Sequence, residues 1–493
     1  MIRRLLLLLA LFGLALAAQA PTFMEKPPQV PPAKAYAPPT SQVDQLPNGL
    51  RIVVVQDQRF PLITVHLALR AGTSRLTPSN AGLASAEADL LTAGTPTRTA
   101  LQIAQQLDAM GGDLSASADQ DFLYVNAYAL GSRAHQLFEL LADVVLHPTF
   151  PQSEVALEKA NMLQTLRANR ADAGFLASVQ FNKLLFGNNP YAITAPTPES
   201  IAQISRQALV SFHQNYFLPN NQAEIVIVGD VQAARAHNLA QQYFGGSWRL
   251  GAPLPPPAPP VANPKTTRIY LVERPGSAQS TILLGNLGLT RTSPDYFPFH
   301  VANEVLGGSF NSRLIADLRE AKGYTYGIYS FNAPYRDLGA WMISTQVRTS
   351  VTAPALKAIL QQLNALRSAP VSPQELTRAK NYLNGSFVLG LQTQRELADA
   401  MLTPGLYGVG PDWLANYVDN VRSVTAAEAL NATKDVIQPQ HLVIVVVGDV
   451  KQIEAGLANL IPGATMTIFD ATGKMVGTYP PEGAGKTRVI NPQ

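Results

Sequence analysis

The sequence contains no cysteine. Disulfides, thiolate–zinc sites and a lipidated N-terminal cysteine are therefore excluded. Charge is scarce too. Asp, Glu, Lys and Arg make up 14% of the chain, the net charge is +3, and neither sign forms a long run. Nucleic acid and anionic membrane surfaces thus have no electrostatic footprint to recognise. The histidines are His66, His135, His147, His213, His237, His300 and His441, and none stands four residues from another. A helix face carrying two imidazoles toward one metal ion is not available. His300 and Glu304 do have helical spacing, which a buried or surface polar pair explains. Beyond the N-terminus no apolar run approaches the ~20 residues of a membrane span.

What is present starts with the N-terminus. Met1-Ile-Arg-Arg4 is a positive n-region, Leu5 to Ala17 an apolar h-region, and Ala15-Leu16-Ala17 a small-x-small cleavage pattern. Residues 1–17 read as a signal peptide. Cleavage after Ala17 is favoured over Ala20, because Pro21 would then follow the scissile bond. The alternative, an uncleaved anchor, would be short. The mature protein is expected to be periplasmic or secreted in a bacterium, with no membrane contact after cleavage, and to be stabilised by its cores alone. Residues 18–40 form a Pro/Ala-rich leader.

A second Pro-rich run, "LGAPLPPPAPPVANP" (Leu250–Pro264), divides the rest nearly in half. The halves repeat each other. "AEIVIVGDVQ" (Ala223–Gln232) matches "HLVIVVVGDVK" (His441–Lys451), with Gly229 and Gly448 lying 219 residues apart. Upstream, "LRIVVVQD" (Leu50–Asp57) and "ITVHLALRAGT" (Ile63–Thr73) match "TRIYLVER" (Thr267–Arg274) and "STILLGNLGLT" (Ser280–Thr290). Each pair reads as two strands. A helix ending in small residues follows: "GLASAEADLLTAGT" in the first half, "FHVANEVLGGS" in the second. Strands and helices mix without a regular βαβ beat, so the class is α+β rather than a doubly wound parallel sheet.

Two long helices are expected. Ser153–Asp172 has apolar residues at three-to-four spacing behind a Ser cap, and Ser372–Leu391 opens with a Ser372/Glu375 capping box and Pro373 at the first helical position. The expected segments are an N-terminal half at 41–249, a linker at 250–266, a C-terminal half at 267–462 and a tail at 463–493. The tail holds a short hairpin with Thr472-Gly473 in its turn.

Four stretches in order, "GLASAEADLLTAGT", "GGDLSASADQDFLYV" (Gly111–Val125), "LLFGNNPYAITAPTPESIAQIS" (Leu184–Ser205) and "LGGSFNSRLIADLREAKGYTYGIYS" (Leu306–Ser330), together with the duplication, carry a resemblance. The sequence resembles the pitrilysin/insulinase family of zinc metallopeptidases, in its processing-peptidase-like branch, over roughly Ser41 to Pro462. The resemblance implies two similar halves, each of two similar α+β domains, forming a clamshell whose chamber admits peptides and excludes folded proteins.

An active member carries His-x-x-Glu-His on the first helix, two zinc ligands and a base for the metal-bound water. Here those positions read Ser85, Ala88 and Asp89, and the position of the later Glu ligand falls at Thr165, 76 residues beyond Asp89. Hydroxyls are poor zinc ligands and alanine cannot act as a base. No metal is expected in this chain. The second half keeps a different element: Arg319 and Tyr326, seven apart with Gly323 between them. In the family such a pair holds the substrate backbone and stabilises the oxyanion. Arg313 and Tyr324 are the neighbouring decoys. The resemblance also implies that the strand containing Ser115, Ala116 and Ser117 is an edge onto which an extended peptide can add. The expected function is that of the non-catalytic subunit of a heterodimeric peptidase acting on peptides or unfolded polypeptides. Its zinc would lie in a partner of the same family. The alternatives are an inert peptide-binding or scaffold protein and, further off, a self-sufficient peptidase with unusual ligands.

Overall fold

The computed structural model describes residues 37, 39–258, 260–458, 460, 466–479 and 489–490. The expected signal peptide and nearly all of the leader lie outside the described residues. The first half contains β1 (Ser41–Gln45), β2 (Arg51–Gln56), β3 (Leu62–Leu69), α1 (Leu83–Leu90), α2 (Ala100–Ala109), β4 (Asp113–Ala118), β5 (Leu123–Leu130), α3 (Ala134–Leu146), α4 (Gln152–Asn169), α5 (Ala173–Phe186), α6 (Pro198–Gln203), α7 (Arg206–Tyr216), β6 (Glu224–Gly229) and α8 (Ala233–Phe244). The second contains β7 (Arg268–Glu273), β8 (Gln279–Leu287), α9 (Tyr296–Asn303), β9 (Thr325–Pro334), β10 (Gly339–Arg348), α10 (Thr352–Ser368), α11 (Pro373–Leu389), α12 (Gln394–Tyr407), α13 (Trp413–Ser423), α14 (Ala426–Val436), β11 (Val443–Gly448) and α15 (Val450–Leu457). Strands β12 (Met466–Phe469), β13 (Met475–Tyr479) and β14 (Val489–Ile490) close the chain.

The duplication is visible in the sheet orders. The first sheet runs β1-β2-β6-β3-β5-β4, and the second runs β14-β13-β12-β7-β11-β8-β10-β9. Read inward from their free ends, β4-β5-β3-β6-β2 and β9-β10-β8-β11-β7 are the same path. The one parallel pair of each path is also equivalent, β2 with β6 and β7 with β11. One sheet serves each half. The tail hairpin forms as expected and joins the second sheet, with β12 parallel to β7.

Strands β6 and β11 are buried along their whole length. A β-branched run with no polar alternation must be covered on both faces. Residues of β2 show how. Ile52 and Val54 enter a core with Leu83, Ala86 and Leu90 of α1 and Phe138 of α3. Val53 and Val55, on the other face, pack under Leu397, Met401 and Leu402 of α12, a helix of the second half. The second sheet mirrors this. Val445 and Val447 lie against Ala177, Phe181 and Leu185 of α5, a helix of the first half. The halves thus exchange helices. Gly405 permits the close approach of α12: a Cβ there would lie 1.8 Å from Glu224 Oε2, in the ion pair that Glu224 forms with Arg51.

Polar contacts also join the halves. Tyr191 donates to the buried Asp121 carboxylate, which accepts the Arg336 backbone N–H at 2.8 Å, and Arg70 pairs with Asp337 at 2.6 Å. The Pro-rich linker is pinned at both ends. Asn220 Nδ2 donates to the Gly251 carbonyl at 2.9 Å, and the Leu287 N–H donates to Asn263 Oδ1 at 2.8 Å.

Two helix expectations change in detail. The Ser372/Glu375 capping box is formed. Ser153, by contrast, is no cap: α4 begins at Gln152, with Pro151 before it and no side chain capping it. Nor is α4 the amphipathic core helix its spacing suggests. Only Val155 and Leu166 are buried, because another face lines a cavity. Among the described residues no helix is long and apolar enough to cross a membrane.

Candidate functional site

Helix α1 is built as a core helix: Leu83, Ala86, Ala88 and Leu90 are buried. It starts at Gly82, in the left-handed region, where a Cβ would meet Met162 Cε at 2.9 Å and Pro196 Cβ at 3.0 Å. That close approach lets α4 and the loop through Pro196 shut against the helix. Ser85 and Asp89 then face a cavity of about 250 Å3, together with Glu158, Asn161 and Thr165 of α4. The structure therefore brings Ser85, Asp89 and Thr165 together and turns Ala88 into the core.

It also adds Glu158, which the sequence reading missed. The signal was available, since Glu158 stands seven residues before Thr165, two turns back on the same helical face. Burial pushes both carboxyls above their ordinary range, and the charge of Asp89 pushes Glu158 further. These residues do not fit zinc. The donors are two mutually repelling carboxylates that hold their protons more tightly than usual, plus hydroxyls and an amide. No imidazole lines the cavity. Among the described residues no group of three or more His, Asp and Glu side chains could hold a metal ion.

Glu87 points away from this cavity and is fully buried. Its Oε1 lies 2.8 Å from His213 Nδ1, and its Oε2 has no partner. Burial raises the Glu87 carboxyl well above the ordinary range; burial and then the charge on His147 lower His213 to about 4. Burial thus disfavours the charged form of both partners. His300 is likewise structural. Its Nε2 lies 3.0 Å from the Tyr417 hydroxyl, and burial lowers it to about 4.

Ser115, Ala116 and Ser117 lie on β4, which ends the first sheet. Ser115 and Ser117 are exposed on one face, and Ala116 packs toward the α1 core on the other. Among the described residues no strand pairs with the outer side of β4.

Arg319 and Tyr326 lie at the equivalent edge of the second sheet. The segment before Gly323 is wound as a π-helix over Ile315–Ala321, and a second π segment covers Glu304–Gly308. Such segments are rare and concentrate at functional sites. The chain reverses at Gly323, in the left-handed region, and enters β9, the terminal strand. The Arg319 guanidinium is held between two rings, 4.4 Å from the Phe310 centroid and 4.6 Å from that of Tyr326. Tyr326 is 87% exposed. Among the described residues Arg319 has no ion-pair partner, whereas Arg313 is clamped by Glu375 at 2.7 and 2.9 Å. Arg319 therefore keeps its fork of N–H donors free beside an exposed phenol, which suits binding of a carbonyl or oxyanion. Neither residue lines the Ser85/Asp89 cavity.

Two family models match the chain, "Insulinase (Peptidase family M16)" over residues 51–193 and "Peptidase M16 inactive domain" over residues 203–383. An uncharacterized zinc protease of Bacillus subtilis is 25% identical over 348 residues, covering 70% of this chain and 83% of that protein. Cytochrome b-c1 complex subunit 1, mitochondrial, of Caenorhabditis elegans is 23% identical over 423 residues, covering 83% and 88%. A crystal structure of a peptidase M16 inactive domain from Pseudomonas fluorescens superposes with a TM-score of 0.77 at 27% identity, covering 83% of this chain and 98% of that one. A Helicobacter pylori protease shares the fold, with a TM-score of 0.78 at 18% identity over 83% and 100% of the two chains. With the repeated sheet path and the α1 and β9 elements in place, the chain belongs to the insulinase, or M16, family of peptidases.

Proposed function

We propose that this chain is the non-catalytic subunit of an exported heterodimeric zinc metallopeptidase acting on peptides or unfolded polypeptides. One contrast carries the reading. The row that faces the α1 cavity has no imidazole, while Arg319, beside the exposed Tyr326, has no ion-pair partner among the described residues. The metal-activated water would belong to the partner. This chain's part is to bind and orient. Arg319 and Tyr326 donate hydrogen bonds to a substrate carbonyl and to the oxyanion that develops from it. Ser115, Ala116 and Ser117 offer a free edge onto which an extended peptide can add. Donors aimed at a developing oxyanion are worth about 10²–10³ in rate. A relative named as a subunit of a multichain complex supports work in an assembly, and relatives named as zinc proteases support peptidase chemistry in the family.

Co-purification from the native host tests the reading. Zinc and peptidase activity should appear only when a second chain with a His-x-x-Glu-His helix is present. Arg319→Ala in the pair should lower kcat about 10²-fold. Stoichiometric zinc with peptidase activity in the isolated chain overturns the reading. Full activity of the Arg319→Ala pair would favour a scaffold role instead.

A further inference from the structure

The sheet face opposite α1 carries a second cavity, of about 340 Å3, between β3, β5, β4 and the start of α12. Helix α12 covers β2, β6 and β3 but stops short of β4, which leaves the depression open. Two of its buried polar atoms are acceptors without donors. Gln394 is 5% exposed, and its Nε2 donates to the Asp57 carbonyl at 3.0 Å. That bond fixes the amide, so the buried oxygen left without a partner is Oε1. Asn126 Oδ1 is also buried and unpartnered. His66, on the floor, faces the Asp399 carboxylate at 2.7 Å. The exposed carboxylate of Asp113 stands at the rim, and Leu62 and Tyr128 supply an apolar wall. Buried acceptors lacking donors ask for a ligand that brings N–H groups.

We propose that this cavity binds a primary ammonium group, the chemistry shared by a lysine side chain and a peptide N-terminus. An ammonium has three donors and no acceptor, matching Gln394 Oε1, Asn126 Oδ1 and the Asp113 carboxylate, while a methylene stem packs on Leu62 and Tyr128. Arg395, exposed at the rim, opposes the ammonium, as does His66 on the floor when that ring is protonated. The cavity adjoins Ser115, so a peptide added to β4 sends alternate side chains over it. That last step rests on the reading of β4 as a peptide-accepting edge; the ammonium site does not.

Ligand-observed NMR titration of the full chain with n-butylammonium tests the site, with 1-butanol as the neutral probe of equal length. Butylammonium should bind at least tenfold more tightly than butanol. Asp113→Asn and Asn126→Leu should each weaken it several-fold, and Arg395→Ala should strengthen it. Equal binding of amine and alcohol overturns the proposal, as does unchanged affinity in both Asp113→Asn and Asn126→Leu. Asp113 is exposed, so its variant tests the site without disturbing a core. Two peptides then separate the sources, one N-acetylated with a single lysine and one lysine-free with a free N-terminus. If butylammonium binds and neither peptide does, the ammonium site stands and the peptide reading of β4 falls.

Discussion

Arg313 and Arg319 lie six residues apart, and the structure gives them opposite duties. Arg313 makes a two-pronged contact with Glu375, whose carboxylate also caps α11 through the Ser372 backbone N–H and hydroxyl. Both side chains of the ion pair are largely shielded, at 23% and 20% exposure. The Arg313 hydrogen bond, opposed by burial and helped by the Ser372 cap, holds the Glu375 carboxyl at about 2 instead of 4.5. A drop of that size corresponds to roughly 3 kcal/mol, at about 1.4 kcal/mol per tenfold change in proton affinity. Ser372 supplies part of it, so Arg313→Ala should cost about 1–2 kcal/mol at pH 7. The carboxyl is depressed, so this stability is fully present above pH 4.5 and is lost as pH falls toward 2. Urea unfolding of wild type, Arg313→Ala and Arg319→Ala at pH 7 and pH 3 measures all of it. Arg313→Ala should show a lower midpoint at pH 7, with the gap narrowing at pH 3. Arg319→Ala, which removes only ring contacts at an exposed edge, should unfold like wild type within about 0.5 kcal/mol. A pH-independent Arg313→Ala deficit, or an equal deficit in Arg319→Ala, would refute the division between them.

The helix exchange makes a first-half residue part of the second core. Phe181→Ala should cost about 3–5 kcal/mol, and hydrogen exchange should quicken in β8 and β11; quickening confined to the first sheet would contradict the packing. Glu87 gives a prediction of opposite sign to Glu375. Its carboxyl is raised by burial, so wild type loses stability as pH rises above the ordinary carboxyl range. Glu87→Gln removes that titration, and its urea midpoint relative to wild type should rise more at pH 8 than at pH 4.5. An equal effect at both pH values would mean that Glu87 is ionised in the fold.

The strands and the duplication were legible because buried β-branched runs such as "IVIV" and "VIVVV" write burial directly into residue type. The capping box at Ser372 was legible for the same local reason. The exchange of α5 and α12 was not. Periodicity tells that Phe181 and Leu185 share an apolar face, but nothing local says which sheet that face will cover. Ser153 misled because a Ser before a helical pattern looks like a cap, whereas the cap position is Pro151, two residues earlier. Glu158 is not marked in the sequence because the family pattern points only to Thr165, not to the helical face the two share. Gln394 could not be found at all: its unpaired oxygen exists only because α12 crosses onto the first sheet.

Duplication also gives a reason for the asymmetry of the two halves. Strands β4 and β9 occupy the same place in equivalent sheets, and among the described residues each ends its sheet with a free outer side. Yet beyond Asp113 the exposed residues of β4 are small, Ser115 and Ser117, while those of β9 are Tyr326, Tyr329 and Phe331. A free edge with small side chains leaves room for a guest backbone, and one with aromatic rings offers contact area and directional donors. The helix beside β4 is held by Leu83, Ala86 and Leu90, which face the core, while Ser85 and Asp89 face the cavity. Substitution on the cavity side of such a helix costs the fold little. In a chain that works beside a zinc-bearing partner, the parts under functional constraint would then be β4 as one rim and Arg319 with Tyr326 as the other, and a scan of substitutions in the assembled enzyme should find its sensitive positions there rather than on the cavity face of α1.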